Sequence, residues 1–430
     1  MKILHVLGQR PGMTGSGFYL ESIIGQCREH GCKTFKVAGV PPDERASAHG
    51  SRNPDAAYVY FESEALDFPV PGMSDVMPYN SSLFSQLKGS RLAAYKESFA
   101  RTLRQAVRKF DPEVVHANHL FLLTALVREL FPRVPVVATC HGTELRQYHN
   151  CPHLRDYVKR NCRQLDRIIA LTADQKAEIE QTYDIASDRI TVIGGGYDET
   201  LFNRAPKPTT GPVHILFAGK FNRSKGLPWL LKTLFKMTGH DWHLHLAGSG
   251  HGPEFRECLD LAARLGSKVT NYGFVNHRRL AEIMKKVHIQ VLPSFFEGLP
   301  LVLFEGLASG CRIITTDLAG FGEVLGKANR DTIDLIQLPP LETIDRPFKE
   351  DETRLEKKLH DSILRMMAAA RQSPDYHDPR ADEIASRYTW SRVFKSTLAV
   401  YQDAIVDRSP SNCRLPADCN KGIRRLIFKH

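Results

Sequence analysis

At 430 residues the chain is too long for one hydrophobic core, and its 42% hydrophobic and 25% charged residues are typical of globular proteins. This composition excludes a disordered chain and a coiled coil, and no run approaches the 18 apolar residues that a membrane span needs. A net charge of +10 favours an anionic partner, but no nucleic-acid-binding motif is present, so nucleic acid is not expected.

The N-terminal sequence and the cysteines bear on cellular location. The first apolar run breaks at Gly8 and Arg10, which is too short for a secretory signal. Nine cysteines, an odd number without C-x-x-C spacing, predict reduced thiols rather than disulfides. Cys151, His153 and Cys162 lie close in sequence but lack zinc-ligand spacing and a fourth partner. We therefore expect a cytoplasmic protein.

The first half of the chain alternates short, β-branched apolar runs with amphipathic stretches of helical length. The strand-like runs are KILHVLG, KTFKVAGV, VVHANH, VPVVATC, RIIALT and ITVIGG. Such alternation predicts a parallel sheet with helices on both faces, because each crossover must return over the sheet. Residues 1–203 are therefore predicted to form one doubly wound α/β domain.

The Pro-rich stretch NRAPKPTTGPV predicts a linker, after which the alternation restarts. The runs HILFAGK, LHLAGSG, VTNYGF, IQVLPS and CRIITTD predict a second α/β domain over residues 204–376. Ligands of open parallel sheets bind beyond the carboxyl ends of the strands, so we expect the site between the two domains. Residues 377–407 are predicted to be helical. Residues 408–430 are predicted to form a basic, poorly ordered tail, with peripheral contact to the inner membrane face as the alternative.

Two carboxylates lie eight positions apart in PSFFEGLPLVLFEGLASG, which follows a strand-like run. Glu305 lies among apolar residues, where an unpaired carboxylate is costly and a polar ligand would offset that cost. Glu297 is expected where a strand gives way to a helix, a place that favours an anion such as phosphate. The alternative is that Glu297 caps the helix and Glu305 pairs with an arginine. Eight helical residues span about 12 Å, more than the roughly 5–9.5 Å of a glycosidase, so simple hydrolysis is disfavoured.

Two lysines follow another strand-like run, in FAGKFNRSKGLPWLL. Lys220 and Lys225 precede a predicted helix, and two cations at the carboxyl end of a strand suit a diphosphate. The alternative is a pair of surface lysines that flank a turn.

The combination of E-x7-E after a strand with K-x4-K-G in an earlier loop resembles the family-four retaining glycosyltransferases, over nearly the whole chain. The resemblance implies the GT-B fold, in which two doubly wound Rossmann-like domains face each other across a cleft. It implies that Glu305 binds the donor ribose and that Glu297 lies by the donor sugar. Lys220 and Lys225 would bind the diphosphate. Lys220 replaces the family's usual arginine, so a bidentate phosphate contact is lost.

Other segments fit the same resemblance. GMTGSGFYLESII matches the family's Gly-rich loop, where Gly15 and Gly17 let the backbone approach a phosphate or acceptor. CHGTEL matches the histidine loop, which assigns His141 to the transferred sugar. The resemblance completes the donor site with residues of the base-binding loop and of a helix start: Phe274, Val275, Leu301 and Val302. IGGGYDETLF resembles the segment that closes the first domain, and its Asp198 is expected to be structural.

The resemblance implies front-side attack, in which a phosphate oxygen of the donor takes the proton of the acceptor hydroxyl. Lys220 and Lys225 would stabilise the leaving diphosphate, with Lys225, Glu297 and His141 as the catalytic group. Because no D-x-D occurs, we expect no metal, and no other cofactor is expected. A UDP-sugar is favoured as donor, then a GDP-sugar. The acceptor, a glycan, lipid or small molecule, is not identified. Residues 41–90 form a longer segment than the scaffold needs, and we expect them to shape the acceptor side of the site.

Two alternatives keep the fold and the donor: a sugar-nucleotide epimerase and a non-catalytic nucleotide-sugar-binding protein. A dinucleotide oxidoreductase would need G-x-G-x-x-G after the first strand, and GQRPGMTGSG does not supply that spacing.

Overall fold

A computed structural model describes residues 1–12, 14–42, 54–74, 77–297, 299–318, 321–326, 328–343 and 346–408. The chain divides into two compact units. The first comprises Met1–Ala170, Gln175–Ile193 and the chain from Phe394 onward, and the second comprises Leu171–Asp174 and Gly194–Val393. Residues 409–430, which hold almost all of the predicted basic tail, lie outside the described residues.

The first unit is built on a parallel sheet. Its strands are β1 (Lys2–Leu7), β2 (Lys33–Val40), β3 (Ala56–Tyr60), β6 (Val114–Asn118), β7 (Val136–Thr139), β8 (Arg167–Ala170) and β9 (Ile190–Val192), with β4 (Pro71–Gly72) and β5 (Ser82–Leu83) as a separate pair. The seven-stranded sheet has the order β3-β2-β1-β6-β7-β8-β9, and the strand order reverses between β1 and β6. Strand β6, VVHAN, is buried along its whole length, as expected of a central parallel strand covered on both faces.

Helices connect these strands and cover the sheet. They are α1 (Gly15–Glu29), α2 (Gly89–Phe110), α3 (Leu122–Leu130), α4 (Thr143–Asn150), α5 (Arg155–Cys162) and α6 (Ala173–Tyr183). The long helix α2 buries Tyr95, Phe99 and Leu103 at helical spacing while its opposite face is polar, so it packs one stripe on the core.

The second unit repeats the plan. Its strands are β10 (Val213–Ala218), β11 (Trp242–Ala247), β12 (Val269–Asn271), β13 (Ile289–Leu292), β14 (Arg312–Thr316) and β15 (Ile333–Ile336), with a separate antiparallel pair, β16 (Leu341–Thr343) and β17 (Arg346–Pro347). The six-stranded parallel sheet has the order β12-β11-β10-β13-β14-β15, which is the doubly wound order of dinucleotide-binding folds. The strand order therefore reverses between β10 and β13, the position at which such sheets bind ligands.

The remaining helices complete this unit and the C-terminal region. They are α7 (Leu227–Phe235), α8 (Gly252–Ala263), α9 (His277–Met284), α10 (Leu301–Ala308), α11 (Phe321–Leu325), α12 (Glu352–Gln372), α13 (Pro379–Ser386) and α14 (Trp390–Arg408). In the part of the chain that the structure describes, no helix combines the length and the apolar character needed to cross a membrane.

The fold confirms the predicted α/β class and all eleven strand-like runs. It corrects the reading of residues 41–90 as more than the scaffold needs, because they contain the edge strand β3. The edge strand β15 at the other sheet was not among the strand-like runs either. The second unit includes both Gly196 and Trp390, and a Cβ on Gly196 would lie 2.6 Å from the Trp390 ring. The predicted domain boundary at residue 203 stays a prediction.

Candidate active site

An ion pair lies where β10 and β13 end. Lys225 Nζ is 2.7 Å from Glu297 Oε2 and also donates to the Phe296 carbonyl oxygen at 3.2 Å. The hydroxyl of Ser294 donates to Glu297 Oε1 at 2.8 Å. Both charged side chains are largely shielded, with 21% of Lys225 and 12% of Glu297 exposed. The carboxylate is thus held from two sides, and the ammonium keeps one exposed side.

A second cation lies close to this pair. Burial lowers the pKa of Lys220, and the positive charge of Lys225 lowers it further, while Glu297 acts in the opposite direction. Lys220 follows Gly219 at the end of β10, so both lysines come from the loop predicted to bind a diphosphate. An anion bound to both ammonium groups would relieve their mutual repulsion.

Glycines bring the loops of this site into contact. Gly226 has φ +69°, and a Cβ on it would lie 2.0 Å from the Pro293 carbonyl oxygen. The amide of Phe295 donates to the Ser224 carbonyl at 2.8 Å, which ties the lysine loop to the end of β13. Only glycine permits this close approach of the two loops, and the approach places Lys225 against Glu297.

The position of Glu297 differs from the prediction in one respect. Strand β13 ends at Leu292 and helix α10 begins only at Leu301, so Glu297 lies in the intervening loop and not at the helix start. Pro300 explains why the helix does not begin earlier, since the residue before a proline is disfavoured in helical conformation. The 12 Å separation estimated for Glu297 and Glu305 assumed a continuous helix and therefore does not apply.

Glu305 lies in the first turns of α10 and is 5% exposed. Burial raises the pKa of its carboxyl group to about 8, so the group is mostly protonated at neutral pH. The side chain of His277 approaches this carboxyl group, with Nε2 3.6 Å from Glu305 Oε1. Among the residues that the structure describes, no arginine forms an ion pair with Glu305, which was the alternative left open by the sequence. His277, at the start of α9, is a neighbour that sequence analysis missed.

The other predicted donor-site residues lie on the same unit. Phe274 and Val275 follow β12; the Phe274 side chain is 66% exposed, whereas Val275 packs partly on the core. Leu301 and Val302 open α10 and are half-buried. Leu301 also explains why position 195 holds a glycine, because a Cβ on Gly195 would lie 2.9 Å from a Leu301 methyl carbon.

In the first unit, His141 lies at the end of β7 in a polar setting. Its Nε2 is 3.0 Å from Asn118 Oδ1, and Asn118 Nδ2 donates to the Val6 carbonyl at 3.4 Å. The Asn118 oxygen therefore accepts, which assigns the proton of His141 to Nε2. Burial lowers the pKa of His141 to about 3, with a further contribution from His119, so the ring is neutral.

A buried polar network that sequence analysis missed adjoins His141. His119 Nδ1 is 3.3 Å from Glu144 Oε2, and His119 Nε2 is 2.9 Å from Ser16 Oγ. Glu144 also accepts from the amides of Leu120 and His141, at 3.1 and 2.7 Å. Burial alone would raise the pKa of Glu144, but His119, His141 and the backbone outweigh it and lower the pKa to about 2. The network fixes the histidine loop to the start of α1.

The two predicted glycines of the first loop have different roles. Helix α1 begins at Gly15, and Thr14 caps it by accepting from the Gly17 amide at 3.2 Å. A Cβ on Gly17 would lie 2.7 Å from the Gly12 nitrogen, so a side chain is excluded there. A Cβ on Gly15 would meet nothing within 4 Å. Gly17 is thus needed for the close packing of this loop, and its N–H group already donates a hydrogen bond to the capping Thr14 side chain.

Two further predicted assignments concern structural residues. Asp198 Oδ1 accepts from the amide and hydroxyl of Thr200, at 2.9 and 2.6 Å, which is a turn contact. His153 Nε2 is 3.0 Å from the Leu87 carbonyl oxygen, and Cys151 and Cys162 are buried free thiols. Among the described residues, no three His, Cys, Asp or Glu side chains gather in a way that could hold a metal ion.

Comparison with known proteins assigns the family. The model described as "Glycosyl transferases group 1" matches residues 212–337, and that described as "Glycosyltransferase Family 4" matches residues 84–201. The chain belongs to the group 1 and family 4 glycosyltransferases. The predicted family is thereby confirmed.

Individual relatives of this glycosyltransferase-family chain are distant. It is 27% identical to the glycogen synthase of Mycobacterium tuberculosis over 51% of this chain and 55% of that protein, so it spans about half the length of that relative. It is 25% identical to the MMP alpha-(1->4)-mannosyltransferase of Mycolicibacterium hassiacum over 91% of this chain and 95% of that protein. Anabaena Alr3699/HepE, solved with UDP and glucose, has a TM-score of 0.62 at 14% identity and covers 94% of this chain and 99% of its own. The last likeness confirms the predicted GT-B fold.

Proposed function

We propose that this protein transfers a sugar from a nucleoside diphosphate sugar to a hydroxyl group of an acceptor, with retention of the anomeric configuration and without a metal ion. The observation that carries the proposal is the Lys225–Glu297 pair, 2.7 Å apart, at the position where the strand order of the second sheet reverses. Lys220 adds a second cation there, and buried Glu305 adds an uncharged acid.

The two lysines suit the leaving group. When the bond between the anomeric carbon and the phosphate oxygen breaks, negative charge develops on the nucleoside diphosphate. Ammonium groups already held at that place stabilise the charge, and a preorganised donor of this kind is worth about 10²–10³ in rate. Lys225 is held by Glu297 and by the Phe296 carbonyl, so little reorganisation is needed.

The carboxyl groups suit the sugar hydroxyls. Glu297, oriented by Ser294, can accept a hydrogen bond from a hydroxyl of the transferred sugar. Glu305, mostly protonated at neutral pH, can both donate to and accept from a ribose hydroxyl. In the first unit, neutral His141 supplies a proposed contact to the transferred sugar. With no base assigned, the proton of the acceptor passes to a phosphate oxygen of the donor.

The donor we favour is a UDP-sugar, with a GDP-sugar next. The support is the fold shared with Alr3699/HepE, a structure solved with UDP and glucose. The acceptor is a hydroxyl-bearing glycan, lipid or small molecule. We place the protein in the cytoplasm, with peripheral membrane contact through the basic C-terminal sequence as the alternative.

Thermal unfolding of the full chain against UDP-, GDP-, ADP- and TDP-sugars tests the donor site, with Glu305→Ala as the site variant. A donor at 100 times its Kd should add about 2.7 kcal/mol to the free energy of unfolding. One nucleotide class should stabilise the wild type and not the variant; stabilisation of neither by any of the four would contradict the proposal.

Transfer itself is tested with the donor so identified and a panel of glycan and alkyl glycoside acceptors. Proton NMR of the new glycosidic bond should give the donor's anomeric configuration, and excess EDTA should leave the rate unchanged. Inversion would refute the mechanism, and a rate lost in EDTA and restored by Mn²⁺ would refute metal independence. Conversion of the donor sugar to its epimer with no acceptor present would identify an epimerase instead.

A further inference from the structure

His277 and Glu305 meet within the second unit, although they come from different helices. His277 is the first residue of α9, and Glu305 lies in α10. The distance of 3.6 Å between His277 Nε2 and Glu305 Oε1 is slightly longer than a hydrogen bond. Glu305 is buried, whereas 43% of the His277 side chain is exposed. A small shift of either side chain brings the two atoms within reach of a proton transfer, and the imidazole ring is the partner that water can reach.

The surroundings of the His277 ring suit either protonation state. The Phe202 ring meets it edge-on, with the two ring centroids 6.1 Å apart. Burial lowers the pKa of His277, and the negative charge of Asp198 acts against that effect. Asp198 is itself held by the amide and the hydroxyl group of Thr200. The ring is therefore neutral in the ligand-free protein, with a fixed carboxylate near enough to stabilise an imidazolium.

Few other charges act on this pair. Within the described part of the chain, Asp198 is the charged group that affects the pKa of His277, and burial alone raises the pKa of Glu305. One turn further along α9, Arg279 pairs with Glu282 at 2.7 Å on the surface of the helix. The protonation of the pair is therefore decided by the two groups themselves, by Asp198 and by what binds to them.

A ribose bound at Glu305 would change this balance. Ribose presents two neighbouring hydroxyl groups, and a neutral carboxylic acid accepts from one while it donates to the other. A carboxylate accepts from both, and such charge-assisted hydrogen bonds are roughly twice as strong as neutral ones. These bonds lower the pKa of a carboxyl group, as does a cation within about 4–6 Å. The bound ribose therefore favours ionised Glu305, provided that a nearby base takes the proton.

We propose that His277 is a positioning residue for the donor: when the ribose binds, the proton of Glu305 passes to His277, and the carboxylate so formed accepts a hydrogen bond from each ribose hydroxyl group. The O–H bond of Glu305 breaks and the Nε2–H bond of His277 forms, so no other reactant is needed. The imidazolium is stabilised by the negative charges of Glu305 and Asp198. This inference rests on the proposed function, in which Glu305 binds the donor ribose.

The protons exchanged on nucleotide binding distinguish this role from a merely structural one. UDP and GDP are the probes, because both carry a ribose and neither requires the transferred sugar to be known. Each is titrated calorimetrically into the full chain at pH 7, in PIPES and in ACES, whose different ionisation enthalpies reveal the protons released. His277→Gln should release about one proton more per nucleotide than the wild type, because the proton of Glu305 then passes to solvent. Its Kd relative to that of the wild type should rise about tenfold from pH 7 to pH 6.

His360→Gln is the matched control, because His360 Nδ1 is 3.2 Å from a carboxylate oxygen of Asp361 on the surface of α12. It should release as many protons as the wild type. A second readout is ¹⁵N NMR of the His277 ring in the wild type, which should become an imidazolium when UDP or GDP is added.

Equal proton release by the wild type and His277→Gln, or a His277 ring that stays neutral in the complex, would overturn the inference. The two proposals fail in different ways. A nucleotide that binds without these proton effects refutes this inference alone, whereas failure of both UDP and GDP to bind the wild type contradicts the proposed donor.

Discussion

The raised pKa of Glu305 predicts a stability that falls as pH rises. The carboxyl group has a pKa of about 8 in the folded chain against an ordinary value of 4.5, so the folded state holds its proton where the unfolded state has lost it. Stability is therefore highest below pH 4.5 and declines up to pH 8. At 1.36 kcal/mol per pH unit, the decline reaches about 3 kcal/mol at pH 7 and at most about 5 kcal/mol at pH 8.

Glu305→Gln removes the titration and keeps the shape, so the variant should be the more stable protein at pH 7 and should lose its advantage at pH 4. For a unit of this size, about 3 kcal/mol corresponds to roughly 6–12 °C in Tm. Calorimetry of the ligand-free chain at pH 4, 5, 6, 7 and 8 measures the difference from wild type, in which the titrations of groups remote from residue 305 cancel.

Glu282→Gln is the control, because Glu282 is 54% exposed and pairs with Arg279 on the surface of α9. Its difference from wild type should be small and independent of pH. A Glu305→Gln difference that does not grow between pH 5 and pH 8 would refute the reasoning, because it would mean that the buried group is ionised in the folded state.

Three further predictions concern the other charges and glycines. Lys225→Ala should lower kcat/KM for transfer about 10²–10³-fold in initial-rate assays, whereas Lys232→Ala on the surface of α7 should leave it unchanged. Gly226→Ala should lower Tm and abolish the donor-induced thermal shift, because its Cβ would lie 2.0 Å from a carbonyl oxygen; Gly239→Ala, where a Cβ meets nothing, should do neither. Glu144→Gln should cost about 3 kcal/mol at pH 7 in urea unfolding, and the cost should shrink as pH falls from 4.5 towards 2, since the pKa of Glu144 is lowered to about 2. A cost equal at pH 7 and pH 3 would mean that shape, and not charge, sets it.

The sequence predicted the scaffold well because buried parallel strands are continuous apolar runs. β1, β6 and β10 are largely apolar and buried, and His119 and Lys220 follow closely after β6 and β10. The edge strands β3 and β15 were missed because they are short and only partly buried, and β15 carries Asp334, so their patterns match those of loops.

The polar network of the first unit could not be predicted from spacing. His119 and Glu144 are 25 positions apart, and they meet because β6 and β7 pair in parallel with Asn118 opposite Thr139. His119 also has φ +71°, an uncommon value for a residue with a side chain, which sequence does not reveal.

The two carboxyl groups of the donor motif differ through their surroundings, and that difference bears on metal independence. Glu297 is already bound by Lys225 and by Ser294, whereas Glu305 is buried and mostly protonated at neutral pH. A divalent cation prefers ionised carboxylate oxygens, so binding here would require breaking one ion pair and deprotonating a buried acid. In the proposed function, the lysines supply the positive charge that a metal would bring to a diphosphate. Lys225→Ala should therefore gain affinity for Mn²⁺ in calorimetric titrations while the wild type shows none, and Mn²⁺ binding to the wild type at this site would contradict metal independence.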